Sequence, residues 1–265
     1  MILVHVIADY GPGDLAFSEM LSALAAHLPA EARWITTPVE SFNTLATGFV
    51  VAQLGLKTPD LQPEKTVLYA NCAPRRDRRE ARPDNEGEGL LFGRLSNGVG
   101  LLAVNSGYSL SFVRDELREL WSVNCPRAGS QFRSRDLFPP LVGQLARGDL
   151  GFLRDPLEPQ QVLVPYPTDR IGYIDSFGNL KTTMREGDPQ VDQLVPGSRV
   201  SLRINGIERT ATVATGSFQV REGDMALAPG SSGHQRRFWE VFARGGSAHH
   251  AFGRPRVGAP IELAL

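Results

Sequence analysis

The chain has 265 residues, 42% of them hydrophobic and 22% charged, with a formal net charge of −1. That balance excludes a general nucleic-acid binder, which needs a concentrated positive surface, and the length favours two domains over one large core. Two cysteines without a CxxC spacing exclude a disulfide scaffold, and no apolar run reaches membrane-spanning length, so a cytoplasmic location with no membrane partner is expected.

Residues 2–7 are apolar and rich in β-branched side chains, which predicts a buried strand rather than a signal peptide, and a Gly/Pro turn follows at 11–13. Apolar residues at helical spacing predict a helix over 15–28, ended by Pro29. A strand is expected at 33–36, a helix at 42–54, and short buried strands at 67–70 and 100–104. Helices are expected at 109–121 and 136–148, the second with Pro139 and Pro140 in its first turn. Alternating strands and helices predict an α/β domain with a mostly parallel sheet flanked by helices over 1–155.

Beyond residue 150 the texture changes. Pro156, Pro159, Pro165 and Pro167 mark a crossing segment over 156–170. Short alternating runs at 199–204, 208–213 and 218–220, with Asn205-Gly206 as a hairpin turn, predict a smaller antiparallel β domain over 156–265. The charge-dense stretch from Arg75 to Glu88 reads as a solvated loop or hairpin in preference to a binding segment.

The residues that could carry chemistry lie in separate segments. Ile7 to Asp14 runs from the first strand into a turn with two acids. Asp14 can bind a sugar diol at the mouth of the sheet or cap the helix after it. Asp9 reads as a structural acid bonding loop amides. Tyr173 to Asn179 offers an acid, a ring and an amide, and alternation along a strand would place Asp175, Phe177 and Asn179 on one side. A tight turn at Gly178-Asn179 with Phe177 in the core is the other reading. Gly230 to Gly233 and Arg244 to Ala248 are backbone-rich turns able to close over a ligand or simply to end hairpins. The five histidines have no spacing that would build a zinc site, and no metal is expected.

Taken together, these segments resemble the S-adenosylmethionine hydroxide adenosyltransferase family, whose relatives include fluorinating and chlorinating enzymes. Ile7 to Asp14 is similar to the opening I-T-D-F-G-x-x-D. Thr37-Pro38 through Phe42-Asn43 follows the second motif, Gln131 to Phe138 parallels T-F-H-G-R-D-x-F, and Leu145 to Gly148 parallels L-A-x-G. The resemblance runs from about residue 4 to residue 262. It implies an α/β domain followed by a β domain, an adenosyl ligand with no further cofactor, and a homotrimer with sites between subunits. It also implies attack on C5′ of S-adenosylmethionine with loss of neutral methionine, where positioning and desolvation do most of the work.

By the same resemblance Asp14, Phe42, Asn43, Asp175, Phe177, Asn179, Ser231, Ser232, Arg244 and Gly246 would bind substrate. The catalytic positions fall on Asn71, Arg75, Arg133 and Ser134, with Arg76, Arg78 and Arg79 as alternatives to Arg75. Here the chain departs from its relatives. Asn71 stands where hydrolytic members have an Asp, and an amide is no base at neutral pH. Arg133 stands in place of the His and stays protonated. Ser134 matches a hydroxyl that the halogenating relatives use, yet Pro74 removes an amide donor from their halide pocket. The expectation is therefore an adenosyl-binding protein that cleaves S-adenosylmethionine to adenosine and methionine. The alternatives are an inactive binding module, or a transferase using a halide or another anion.

Overall fold

In the computed structural model, described over residues 1–56, 62–76, 79–82, 86–126 and 128–264, the chain forms two units, Met1–Pro165 and Tyr166–Leu265. The division falls inside the proline-marked segment.

In the first unit β1 (Ile2–Ala8) lies at the centre of the parallel strands. β2 (Ala32–Pro38) pairs with one side of β1, and β3 (Thr66–Asn71) with the other, both parallel. β5 (Gly100–Val104) continues the parallel half beside β3. The sheet is then completed antiparallel by β4 (Leu90–Leu95), β6 (Leu117–Val123) and β7 (Leu153–Pro156), giving the order β2-β1-β3-β5-β4-β6-β7. Side chains alternate along β1, so Val4, Val6 and Ala8 join one core with Phe17, Met20 and Leu24 of α1 (Leu15–His27) and Val142 and Leu145 of α4 (Pro139–Ala146).

The opposite face is covered by α2 (Thr44–Leu56), which is buried from Thr44 to Ala52. Its Gly48 lets the Tyr108 carbonyl come so close that a Cβ would collide with it, and Phe49 meets Phe112 edge to face at 6.1 Å. One short helical turn, α3 (Arg133–Asp136), precedes α4, and another, α5 (Pro159–Val162), follows β7.

The predicted helix at 109–121 is not formed. Ser111–Glu116 is a 3-10 turn and Leu117–Val123 is strand β6. Leu110, Val113, Leu117, Leu120 and Trp121 have helical spacing, but the backbone from 117 onward pairs with β4, a strand absent from the sequence-based expectation. Long-range pairing here overrides the local pattern.

The second unit is a seven-stranded sheet in the order β14-β10-β11-β12-β13-β9-β8. Its strands are β8 (Ile171–Ile174), β9 (Leu180–Arg185), β10 (Arg199–Ile204), β11 (Ile207–Val213), β12 (Met225–Pro229), β13 (Phe238–Ala243) and β14 (Ile261–Ala264). All pairings are antiparallel except β11 with β12. Asn205, at φ 53°, turns the β10–β11 hairpin. Two short helices, α6 (Pro189–Asp192) and α7 (Ala248–Ala251), accompany a core that includes Leu202, Val213, Val241 and Phe252. The strand expected at 218–220 is a 3-10 turn, with the Phe218 ring in solvent.

The fold is thus an α/β unit with a partly parallel sheet and a largely antiparallel β unit. Among the described residues, no helix is long and apolar enough to cross a membrane, and no group of three or more His, Cys, Asp or Glu could hold a metal ion.

Candidate functional site

β1 connects to β2 on one side and lies against β3 on the other, so the parallel strands reverse their order at β1/β3. Loops leaving the carboxyl ends of two such strands diverge and leave a crevice. A cavity of about 670 Å³ lies there in the first unit. Asp9 and Tyr10 reach it from the end of β1, Ser41 and Phe42 from the loop after β2, Asn71 from the end of β3 and Val104 from the end of β5. The loop before β4 supplies Glu88, and the segment into α3 supplies Phe132, Arg133 and Ser134.

A polar chain crosses this site. The Asn71 carboxamide donates through Nδ2 to the Tyr10 hydroxyl at 3.1 Å, and that hydroxyl shares a hydrogen bond of 2.7 Å with Ser134 Oγ. Burial pushes the Tyr10 pKa up, against the opposing effect of these two hydrogen bonds. Tyr10 also meets Phe132 edge to face at 6.1 Å, which fixes the ring.

Four acidic residues line the same cavity, Asp9, Glu80, Glu86 and Glu88, and two of their carboxylates hold backbone amides in place. Asp9 accepts the Phe42 backbone N–H at 3.0 Å, holding Phe42 at φ 62° with its side chain 53% exposed. Burial raises the Asp9 pKa, while the Phe42 amide and the Cys72 thiol act to lower it. Glu88, 5% exposed, accepts the Arg75 backbone N–H at 2.8 Å, and Arg75 sits at φ 57°. A non-glycine residue in that region is strained, and such strain gathers at functional sites.

Arg133 forms part of the wall. Its Nη1 donates to the Glu88 carbonyl at 2.7 Å, and its guanidinium stands 4.9 Å from the centre of the Phe138 ring. A Cβ on Gly87 would strike it, so that glycine allows the approach. Nε and Nη2 are buried and make no hydrogen bond to nitrogen or oxygen among the described residues. The Cys125 thiol nearby has its pKa raised by burial, partly offset by Arg133.

The structure brings Asn71, Arg75, Arg133, Ser134 and Phe42 together in this cavity. Arg76 and Arg79 are not among its lining residues, and Arg78 lies outside the described residues. Asp14 does not line it either. Its side chain accepts from the Ala16 N–H and caps α1, the other of its two readings. Asn43 caps α2 by accepting from the Ala46 N–H and donating to Glu40.

The remaining sites belong to the second unit. Asp175, Phe177 and Asn179 do not share a strand face, because β8 ends at Ile174. The Asp175 carboxylate accepts from the backbone N–H groups of Phe177 and Asn179 and from Asn179 Nδ2, each at 3.0 Å. This side-chain turn leaves Phe177 77% exposed and outside the core. Ser231 is exposed and Ser232 buried. Arg244 donates to the Val220 carbonyl at 2.7 Å, and the Gly246 N–H closes a turn onto Ala243.

Tyr10, Phe132 and Glu88 are site residues that sequence reasoning misses, and Asp9 does more than bond loop amides. Tyr10 lies inside the opening motif, so its position is visible there although its role is not. Glu88 sits at the end of a charged stretch, part of which (77, 78 and 83–85) lies outside the described residues. The signal that could set it apart is the apolar run Leu90-Leu91-Phe92 just after it, which marks a strand and hence an anchored residue.

No known family model matches the chain, and no curated protein does. Two solved structures share the fold over essentially their whole length. An uncharacterized conserved protein from Thermotoga maritima superposes with a TM-score of 0.75 at 20% identity, covering 99% of this chain and 100% of that one. A conserved hypothetical protein from Thermus thermophilus superposes with a TM-score of 0.67 at 19% identity, covering all of both chains. At these identities the likeness establishes the fold alone.

Proposed function

We propose that this chain binds S-adenosylmethionine in the cavity of its first unit and releases methionine by nucleophilic substitution at C5′. The observation that carries the reading is the convergence of two segments distant in sequence, Asn71 with Arg75 and Arg133 with Ser134, around one cavity at the strand-order reversal. The lining chemistry supports the choice of ligand. Phe42 and Phe132 offer aromatic surface to a planar base, while Asp9 and Glu88 offer negative charge to a sulfonium and an ammonium.

The sulfonium leaves as a neutral thioether, so the nucleophile needs positioning more than full deprotonation. When water attacks, its oxygen bonds to C5′ and the C5′–S electron pair goes to sulfur. The water's proton must then pass to a carboxylate. Asp9 is the better acceptor on physical grounds, because burial brings its pKa upward toward the working range. Asn71 orients through its amide and takes no proton.

A second reading, binding without turnover, is favoured by the Asn71–Tyr10 hydrogen bond, which commits the amide to a structural chain. Calorimetric titration with S-adenosylmethionine and with adenosine, followed by product analysis, separates the two. Binding with adenosine and methionine released in equal amounts is the expected outcome. Binding with intact ligand would select the second reading, and no binding of either compound would sink both.

A further inference from the structure

Tyr10, Asn71 and Ser134 come from three separate segments and all line the one cavity. Asn71 and Ser134 are each 4% exposed, and the Tyr10 ring meets Phe17 edge to face at 5.9 Å and Phe132 at 6.1 Å. Asn71 Nδ2 donates to the Tyr10 oxygen at 3.1 Å, and a single hydrogen bond of 2.7 Å joins that oxygen to Ser134 Oγ. Neither hydroxyl has another side-chain partner among the described residues.

The two hydroxyls carry two protons and share one hydrogen bond. When Tyr10 donates to Ser134, the Ser134 proton is left over. When Ser134 donates to Tyr10, the Tyr10 proton is left over. The Asn71 amide enters the chain as a donor, so either polarity leaves one O–H without an acceptor among the described residues. Buried donors find acceptors, and a donor at the end of a polarised chain is strengthened by it. The chain therefore calls for an oxygen inside the cavity.

Asp9 indicates which oxygen that is. It precedes Tyr10 and lines the same cavity. Burial, and then the Asp9 charge, raise the Tyr10 pKa, so the phenol keeps its proton and serves as a donor, not a base. A water set between an O–H donor and the Asp9 carboxylate has one lone pair and one proton engaged. Its second lone pair remains for C5′.

We propose that the Tyr10–Ser134 hydroxyl pair positions the attacking oxygen, which becomes the 5′-oxygen of adenosine. As the C5′–O bond forms and the C5′–S pair passes to sulfur, the water's proton goes to Asp9 and the hydroxyl pair keeps its own. This role rests on the adenosyl reading and adds the group that orients the nucleophile.

The test is calorimetric titration of the full chain with adenosine and with 5′-deoxyadenosine, which lacks only the oxygen in question. One hydrogen bond is worth about fivefold in affinity, so wild-type protein should prefer adenosine by about that factor. In Tyr10→Phe, which keeps the ring, the preference should fall toward unity through weaker adenosine binding, with 5′-deoxyadenosine bound as before. Ser134→Ala, which keeps the phenol, should lower it in the same way. A purely structural hydroxyl would weaken both ligands equally when removed.

Equal binding of the two nucleosides by wild-type protein overturns this role and leaves the adenosyl reading standing. So does a preference that survives intact in either variant, or an equal loss of both nucleosides in the variants. If neither nucleoside nor S-adenosylmethionine binds, the adenosyl reading falls and this role falls with it.

Discussion

His5 and Asp9 stand close together at the start of the chain, and burial moves their proton affinities in opposite directions. In β1 His5 is buried, its Nδ1 has no hydrogen-bond partner among the described residues, and desolvation lowers its pKa. A depressed histidine contributes stability that is present above the ordinary histidine range and is lost as pH falls through the folded value. The thermal midpoint should therefore drop on acidification below about pH 6.5, the ordinary histidine value. In His5→Leu that part of the slope should disappear, and parallel pH profiles for the two proteins would refute the assignment. Asp9 has the opposite sign. Its raised pKa favours the folded state most below the ordinary carboxylate range, and that contribution is lost as pH rises through the folded value.

Helix α1 shows how one acid can serve two plausible purposes. Asp14 is a candidate for the ribose because it ends the opening motif, and its position at the mouth of the sheet makes that role sensible. In the folded chain its carboxylate receives the Ala16 N–H at 2.9 Å as the N-cap. Asp14→Ala should cost about 1 kcal/mol of stability and leave adenosyl-ligand affinity unchanged. A variant of wild-type stability with a lost ligand would restore the ribose role. The elements legible in the sequence share a feature: β1, α1, α2, β10 and β11 each carry a hydrophobic pattern of their own. β4 and β6 are not legible in this way. They depend on each other across intervening chain, and β6 has a spacing that a helix would also satisfy. The site follows the same rule. Asn71, Arg133 and Ser134 are reachable through motifs, whereas Glu88 matters only because β4 anchors it beside Arg75. The turn at Asp175 is hidden for a local reason, since a carboxylate accepting three N–H groups and a strand with alternating faces use the same residue types.

Each of the two units has its own apolar core, Val4 to Phe152 in the first and Ile171 to Ile261 in the second. A unit with its own core can fold alone. A fragment of residues 166–265 should unfold cooperatively in denaturant and keep a β-rich far-ultraviolet spectrum. A fragment that is unfolded in isolation would show that the second core depends on the first unit.

α2 carries a consequence for how the chain is made. From Ser41 to Leu56 there is no charged side chain, and the helix has no polar stripe to show to water. Until its covers are in place it is a sticky, gatekeeper-free segment. Those covers include Leu68 of β3 and, much further along the chain, Tyr108 and Phe112. On the ribosome the helix therefore emerges well before the residues that shelter it. The nascent chain has an interval in which residues 41–56 are the natural target for a chaperone, and slowed translation between codons 57 and 112 would lengthen that exposure.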